Sequence, residues 1–213
     1  QSVPEDAGAK TIAGWATSIS AGLNELAQIV DFFVTTNNNG LFSELPVLSA
    51  TGTLTYTTAP NANGSATVTV RAHDNGGTTN GGVDSSVPQT FTITVQAVND
   101  LPTISAITDV TTDEDTSTGA IAVTIGDVES TASSLVLSAT SSNTSLIPTA
   151  NIRFGGSGAN RTVTLNPAAN QSGAATITLR VRDGNGAITS EIFVVTVNAV
   201  NDAPTVSNVV NQT

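Results

Sequence analysis

The chain has 213 residues, with 17 acidic against 6 basic side chains and a formal net charge of -11. That charge excludes nucleic-acid backbones and anionic membranes as partners, because too few cations are present to neutralise phosphate. Cysteine is absent, so disulfide staples and thiol nucleophiles are excluded, and no apolar run approaches the ~20 residues of a membrane span.

The chain opens on Gln1-Ser2-Val3 and an acidic pair, Glu5-Asp6, after Pro4. Trp15 sits among small residues and reads as core filler, and Leu23-Asn24-Glu25-Leu26-Ala27-Gln28 reads as loop. Strands are predicted over 29–36 and 52–57, with Asn37-Asn38-Asn39-Gly40 as a turn. Period-two alternation is clearest at Ala66, Val68, Val70 and Ala72, which face inward, while Thr67, Thr69, Arg71 and His73 face outward. A Gly- and Asn-rich loop follows Asp74, and Phe91, Ile93 and Val95 mark the next strand. Then comes Val98-Asn99-Asp100-Leu101-Pro102, where proline stops ladder pairing and forces an extended approach.

The pattern then repeats. Glu5-Asp6 recurs as Glu114-Asp115, and Ala66–Asp74 as Ala175–Asp183, each 109 positions on. Asn99-Asp100 recurs as Asn201-Asp202 after 102, the difference being the shorter turn after Asp183. Strands are predicted over 119–125, 134–139, 151–154 and 162–166, with Gly155-Gly156-Ser157-Gly158 as a turn. Ile177, Leu179 and Val181 face inward, and Phe193, Val195 and Val197 close the repeat. Several short alternating strands per repeat predict an all-β fold of two tandem immunoglobulin-type sandwiches arranged end to end. The expected domains are residues 1–100 and 101–202, with 203–213 a linker or the start of a third repeat, and the chain reads as a piece of a longer array.

The residues argue against catalysis. His73 is the one histidine, on an outward strand face, and local patterning brings no serine to it. Lys10, the one lysine, has no counterpart in the second repeat, which argues against a covalent crosslink. The carboxylates cluster at predicted strand ends and linkers and recur with the repeat. Two readings stand side by side: solvated loop acids that confer solubility, or ligands of a hard cation, calcium being the usual one outside cells.

Taken together, Val-Asn-Asp-Xaa-Pro-Thr at both junctions, Pro4-Glu5-Asp6, Asp113-Glu114-Asp115-Thr116, Asp127-Val128-Glu129 and Arg182-Asp183-Gly184 resemble the cadherin-like, immunoglobulin-like tandem repeats of bacterial surface adhesins. The resemblance spans the whole chain. It implies calcium at the linker, with Glu5 as the early glutamate, Asn99 and Asp100 as linker ligands, Asp127 and Glu129 as the DxD loop, and Asp183 as the hairpin aspartate. The linker is shorter than the cadherin one, with Ala97 and Val98 where ligands are expected, and Ser18 and Ser20 replace the DxD loop in repeat one. The resemblance thus implies fewer ions than in cadherins. The function it implies is a non-catalytic, calcium-stiffened spacer and adhesion array on a bacterial cell surface or in a secreted filament. The partners expected are neighbouring repeats, like chains in a fibre, or a surface glycan or protein. The alternative is a carbohydrate- or protein-binding module using the loop at 75–87 or a face near Trp15.

Overall fold

A computed structural model describes residues 1–25 and 27–206. It is all-β and separates into two units, Gln1–Val98 and the chain from Asn99 onward. Leu26 and residues 207–213, and with the latter most of the expected third-repeat segment, lie outside the described residues; 203–206 carry no strand.

The first unit contains β1 (Ser2–Pro4), β2 (Ala9–Ile12), β3 (Val30–Thr36), β4 (Phe42–Leu48), β5 (Leu54–Thr58), β6 (Gly64–Asp74) and β7 (Gln89–Gln96). They form two sheets, ordered β1-β7-β6-β3 and β2-β5-β4. The second unit contains β8 (Thr103–Ile104), β9 (Val110–Asp113), β10 (Ile121–Gly126), β11 (Val136–Ser141), β12 (Ile152–Ser157), β13 (Asn160–Leu165), β14 (Gly173–Arg182) and β15 (Ile188–Asn198). Its sheets are β9-β15-β14-β11 and β8-β10-β13-β12. The two topologies coincide strand for strand, with β8 additional in the second unit. In both, the first strand of the larger sheet runs parallel to the last strand of the repeat, as β1 with β7 and β9 with β15.

Alternation in the long strands becomes burial. Ala66, Val68 and Val70 of β6 are buried, as are Ile177, Leu179 and Val181 of β14, while Arg71, Arg180 and Arg182 are exposed. The first core centres on Leu54, Tyr56, Val68 and Ile93, with Phe42 edge-on to Tyr56 at 5.8 Å. Trp15 closes this core against Phe91, their ring centroids 4.3 Å apart. In the second core Leu165 occupies the place of Tyr56 and is fully buried beside Ile125, Ile147, Leu179 and Phe193.

Some strands depart from the predicted pattern. β4 breaks alternation because it bulges twice against β5, burying Phe42, Pro46 and Leu48. Proline is tolerated there because β4 is a sheet edge. β12 runs through Gly155, Gly156 and Ser157, predicted as turn, and the hairpin closes at Ser157 opposite Asn160. Gly158 opens that two-residue turn with φ +58, a conformation that suits glycine. A side chain on Gly155 would collide with the Thr162 hydroxyl, so glycine there permits a close strand approach. His73 is half-buried rather than simply solvated. It packs on Phe33 at 5.0 Å and its Nδ1 lies 2.8 Å from an Asp31 oxygen.

Candidate cation site in the second unit

The Glu-Asp pairs form a repeated backbone lock. In the first unit Glu5 is buried, and its Oε1 accepts the Val98 N–H at 2.6 Å. The adjacent Asp6, at φ 56, accepts the Asn61 N–H through Oδ1 at 3.0 Å. In the second unit Glu114 accepts the Val200 N–H at 2.7 Å, and Asp115, at φ 60, accepts the Asn170 N–H at 3.0 Å. Asn61 and Asn170 both have positive φ, a conformation asparagine tolerates better than most residues. Each Glu-Asp pair therefore pins the end of its repeat with one carboxylate and an internal turn with the other.

The other expected site residues lie in the second unit. Asp183 sits where β14 ends, in the turn Asp183-Gly184-Asn185-Gly186, and is buried. Its Oδ1 accepts the backbone N–H groups of Asn185, Gly186 and Ala187 at 2.9, 2.6 and 2.8 Å. Its Oδ2 accepts the Asn99 side-chain amide at 2.7 Å. That amide bond is the largest influence holding the Asp183 carboxyl below its ordinary range; burial opposes it, and the three backbone donors reinforce it. Asn99 also accepts the Asn185 amide through Oδ1. The next residue, Asp100, donates its N–H to Glu129 Oε2 at 3.0 Å.

Asp127 lies directly after β10, and its Oδ1 accepts the N–H groups of Glu129 and Ser130 at 3.1 and 2.6 Å. Its Oδ2 is buried and has no hydrogen-bond partner. The structure thus joins Asn99 to Asp183, Asp100 to Glu129, and Asp127 to the backbone of Glu129. Glu5 belongs to the first unit. Among the described residues, no three acidic, histidine or cysteine side chains come together in a group that could hold a metal ion. A cation here would need amide and backbone oxygens beside its carboxylates, a donor mixture that calcium accepts and that Asn99 can contribute to.

In the first unit the position of Asp183 is taken by Asp74, also buried, whose Oδ1 accepts the Gly76 N–H at 2.8 Å. Asp74 borders an open cleft of about 150 Å³ lined also by Ser20, Ala21, Val83, Ser85 and Ser86. Reading the sequence identified the acids but missed the Glu-Asp lock. The signal was present: Asp6 to Asn61 and Asp115 to Asn170 are separated by the same 55 positions.

Residues 99–198 match the family model described as a bacterial Ig domain. The resemblance to immunoglobulin-like and cadherin-like tandem repeats holds. The first immunoglobulin-like repeat has the topology of the matched one, so the chain consists of two sandwiches of one design. Among curated proteins none matches. Similar solved structures include the surface layer protein SbsC, domains 1–6, at 22% identity and TM-score 0.42, covering 81% of this chain and 20% of that one. Another is the protocadherin gammaB7 EC3-6 cis-dimer, at 17% identity and TM-score 0.46, covering 95% and 46%. A third is the human desmocollin-1 ectodomain, at 13% identity and TM-score 0.36, covering 82% and 34%. The chain therefore spans a fifth to under half the length of these three. Among the described residues no helix is long and apolar enough to cross a membrane.

Proposed function

We propose that the two immunoglobulin-like repeats form a non-catalytic segment of a bacterial cell-surface or secreted protein. In this reading the segment acts as a spacer within an adhesion array, and calcium stiffens it where one repeat passes to the next. The observation that carries the calcium reading is Asp127 Oδ2, a buried carboxylate oxygen without a hydrogen-bond donor. An orphaned carboxylate oxygen in a buried position is costly unless a cation or water satisfies it.

The ion would be held by Asp127, by one further carboxylate among Asp100, Glu129 and Asp183, and by amide and backbone oxygens such as those of Asn99, since no three acidic side chains come together among the described residues. Calcium, when bound, supplies positive charge and room for six to eight oxygen ligands. The protein's own contribution is to position those oxygens. Asp183 orients the Asn99 amide, and Glu129 holds the Asp100 backbone. Glu5 ties Val98 into the first unit, so consecutive residues 98, 99 and 100 are each anchored before any ion binds. A cation shared by Asp127 and the residues around Asn99 and Asp100 would reinforce the hydrogen bonds that already hold that segment.

A non-catalytic role is supported by the use of the recurring carboxylates as backbone acceptors. Small-angle scattering in chelator, in sodium chloride and in calcium chloride at matched ionic strength tests the stiffening. The reading expects calcium alone to narrow the distribution of particle dimensions. Equal effects of sodium and calcium would reduce the junction to charge screening and remove the calcium-dependent role.

A further inference from the structure

We infer that the outer face of the β9-β15-β14-β11 sheet is a self-association surface that takes an acidic region of a second copy of this chain. The register places Val136, Arg182 and Ile188 side by side across three strands. The next outward row is Ser138, Arg180 and Ser190, and the row after it Thr140, Thr178 and Ile192. Val136, Ile188 and Ile192 are 61%, 48% and 60% exposed. Three branched aliphatic side chains thus flank two arginines, and those three rows contain no carboxylate.

The feature recurs. Arg71 and His73 stand 109 positions before Arg180 and Arg182, and on the same face of the first unit Phe33 lies opposite Arg71, 55% exposed. Among the described residues the ion pairs are those of His73 with Asp31 and Asp84, so neither Arg180 nor Arg182 belongs to one. In a chain with 17 acidic and 6 basic residues, two unpaired arginines in three carboxylate-free rows are a local inversion of charge, the nearest carboxylate of β9 on that face, Asp113, being bonded to Asn198.

Charge complementarity selects the occupant. The rest of this chain supplies acidic, hydroxyl-rich surface, and arginine flanked by aliphatic groups is suited to a protein surface bearing carboxylates. Packing the face against itself would oppose arginine to arginine. The contact is therefore heterologous, a geometry that leads to open-ended assembly rather than a closed dimer. Three rows on three strands cover far less than the ~800 Å² per partner of a standard interface, so each contact is weak. Repetition along an array multiplies it.

The experiment is the second virial coefficient from static light scattering of the intact chain at low and moderate salt. A purely repulsive polyanion gives a coefficient that falls as salt screens it; heterologous attraction gives one that rises with salt. Arg180→Glu with Arg182→Glu should raise the low-salt coefficient well above that of Lys10→Glu with Arg153→Glu. The second pair alters the other sheet of each unit and leaves the same net charge. Val136→Thr, Ile188→Thr and Ile192→Thr together should also raise the coefficient without changing net charge, with folding checked by thermal unfolding. Equal shifts from the two arginine-or-lysine pairs, or a wild-type coefficient that falls with salt, would overturn the inference. So would binding of a sulfated polysaccharide to the arginine face without self-attraction.

Discussion

Replacing Glu5 separates two roles for one carboxylate. Its Oε1 accepts the Val98 N–H at 2.6 Å inside the first unit, and its Oε2 lies 3.5 Å from the Asn63 amide. A hydrogen bond to a charged acceptor contributes about 1.5–3 kcal/mol, and Val98 is half exposed, which favours the lower end because water can replace part of the bond. Glu5→Ala also removes one buried methylene at about 0.8 kcal/mol, for a total of about 2 kcal/mol. Glu5→Gln keeps the shape and an acceptor but loses the charge, roughly half of the bond, or about 1 kcal/mol. For a domain of this size that is a fall of about 4–8 °C in the melting temperature of the first unit. The assay is differential scanning calorimetry in chelator, where no cation contributes. Glu114→Gln provides the matched change in the second unit. The lock is refuted if Glu5→Gln leaves the chelator melting temperature unchanged and lowers only the one measured in calcium, for that result would make Glu5 a ligand and nothing more.

Leu179, fully buried in the second core, should cost about 2–5 kcal/mol when truncated to alanine, read as a lower denaturation midpoint of the second unit with the first unaffected. Tyr56 carries a buried hydroxyl without a hydrogen-bond partner, and burial raises its pKa above the ordinary 10.0. Tyr56→Phe should accordingly be neutral or slightly stabilising in urea unfolding, and the wild type should lose stability as pH rises above about 10 while the variant does not. Asp183 has a folded pKa below its ordinary 3.8, so its stabilisation is complete above that value and lost as pH falls beneath it. Acid titration followed by circular dichroism should show Asn99→Ala weakening that acid dependence, since the Asn99 amide is its largest cause.

The sequence revealed the fold wherever a strand carried its own pattern. β6, β7, β14 and β15 alternate over enough residues to declare both their period and their buried face. β1 and β9 are three and four residues long and owe their conformation to parallel pairing with β7 and β15, so their signal lies in the partner strand. β4 escaped because two bulges and Pro46 disrupt the period, which only its pairing with β5 restores. The site was legible as a set of acids but not as an arrangement. Nothing local in Asp183-Gly184-Asn185-Gly186 shows that one oxygen accepts three backbone donors and the other takes Asn99 from 84 positions away. The clustering of the carboxylates in the sequence offers two readings, solvated loop acids or ligands of a hard cation. The fold instead assigns most of them to backbone N–H groups, a use that net charge does not reveal.

Calorimetric calcium titration of chelator-treated protein, wild type beside Asp127→Asn, tests the central claim most directly. The substitution keeps the shape and an acceptor for the Glu129 and Ser130 N–H groups while removing the charge from the orphaned Oδ2 side. The account predicts saturable heat with wild type, displaced by chelator and absent with sodium, and a clear weakening of affinity in Asp127→Asn. Binding only to the folded unit should stabilise it by about 2.7 kcal/mol at a hundredfold excess of calcium over the dissociation constant. No saturable heat in wild type, or equal affinity in Asp127→Asn, would contradict it and leave the segment around Asn99, Asp100 and Asp127 held by its hydrogen bonds alone.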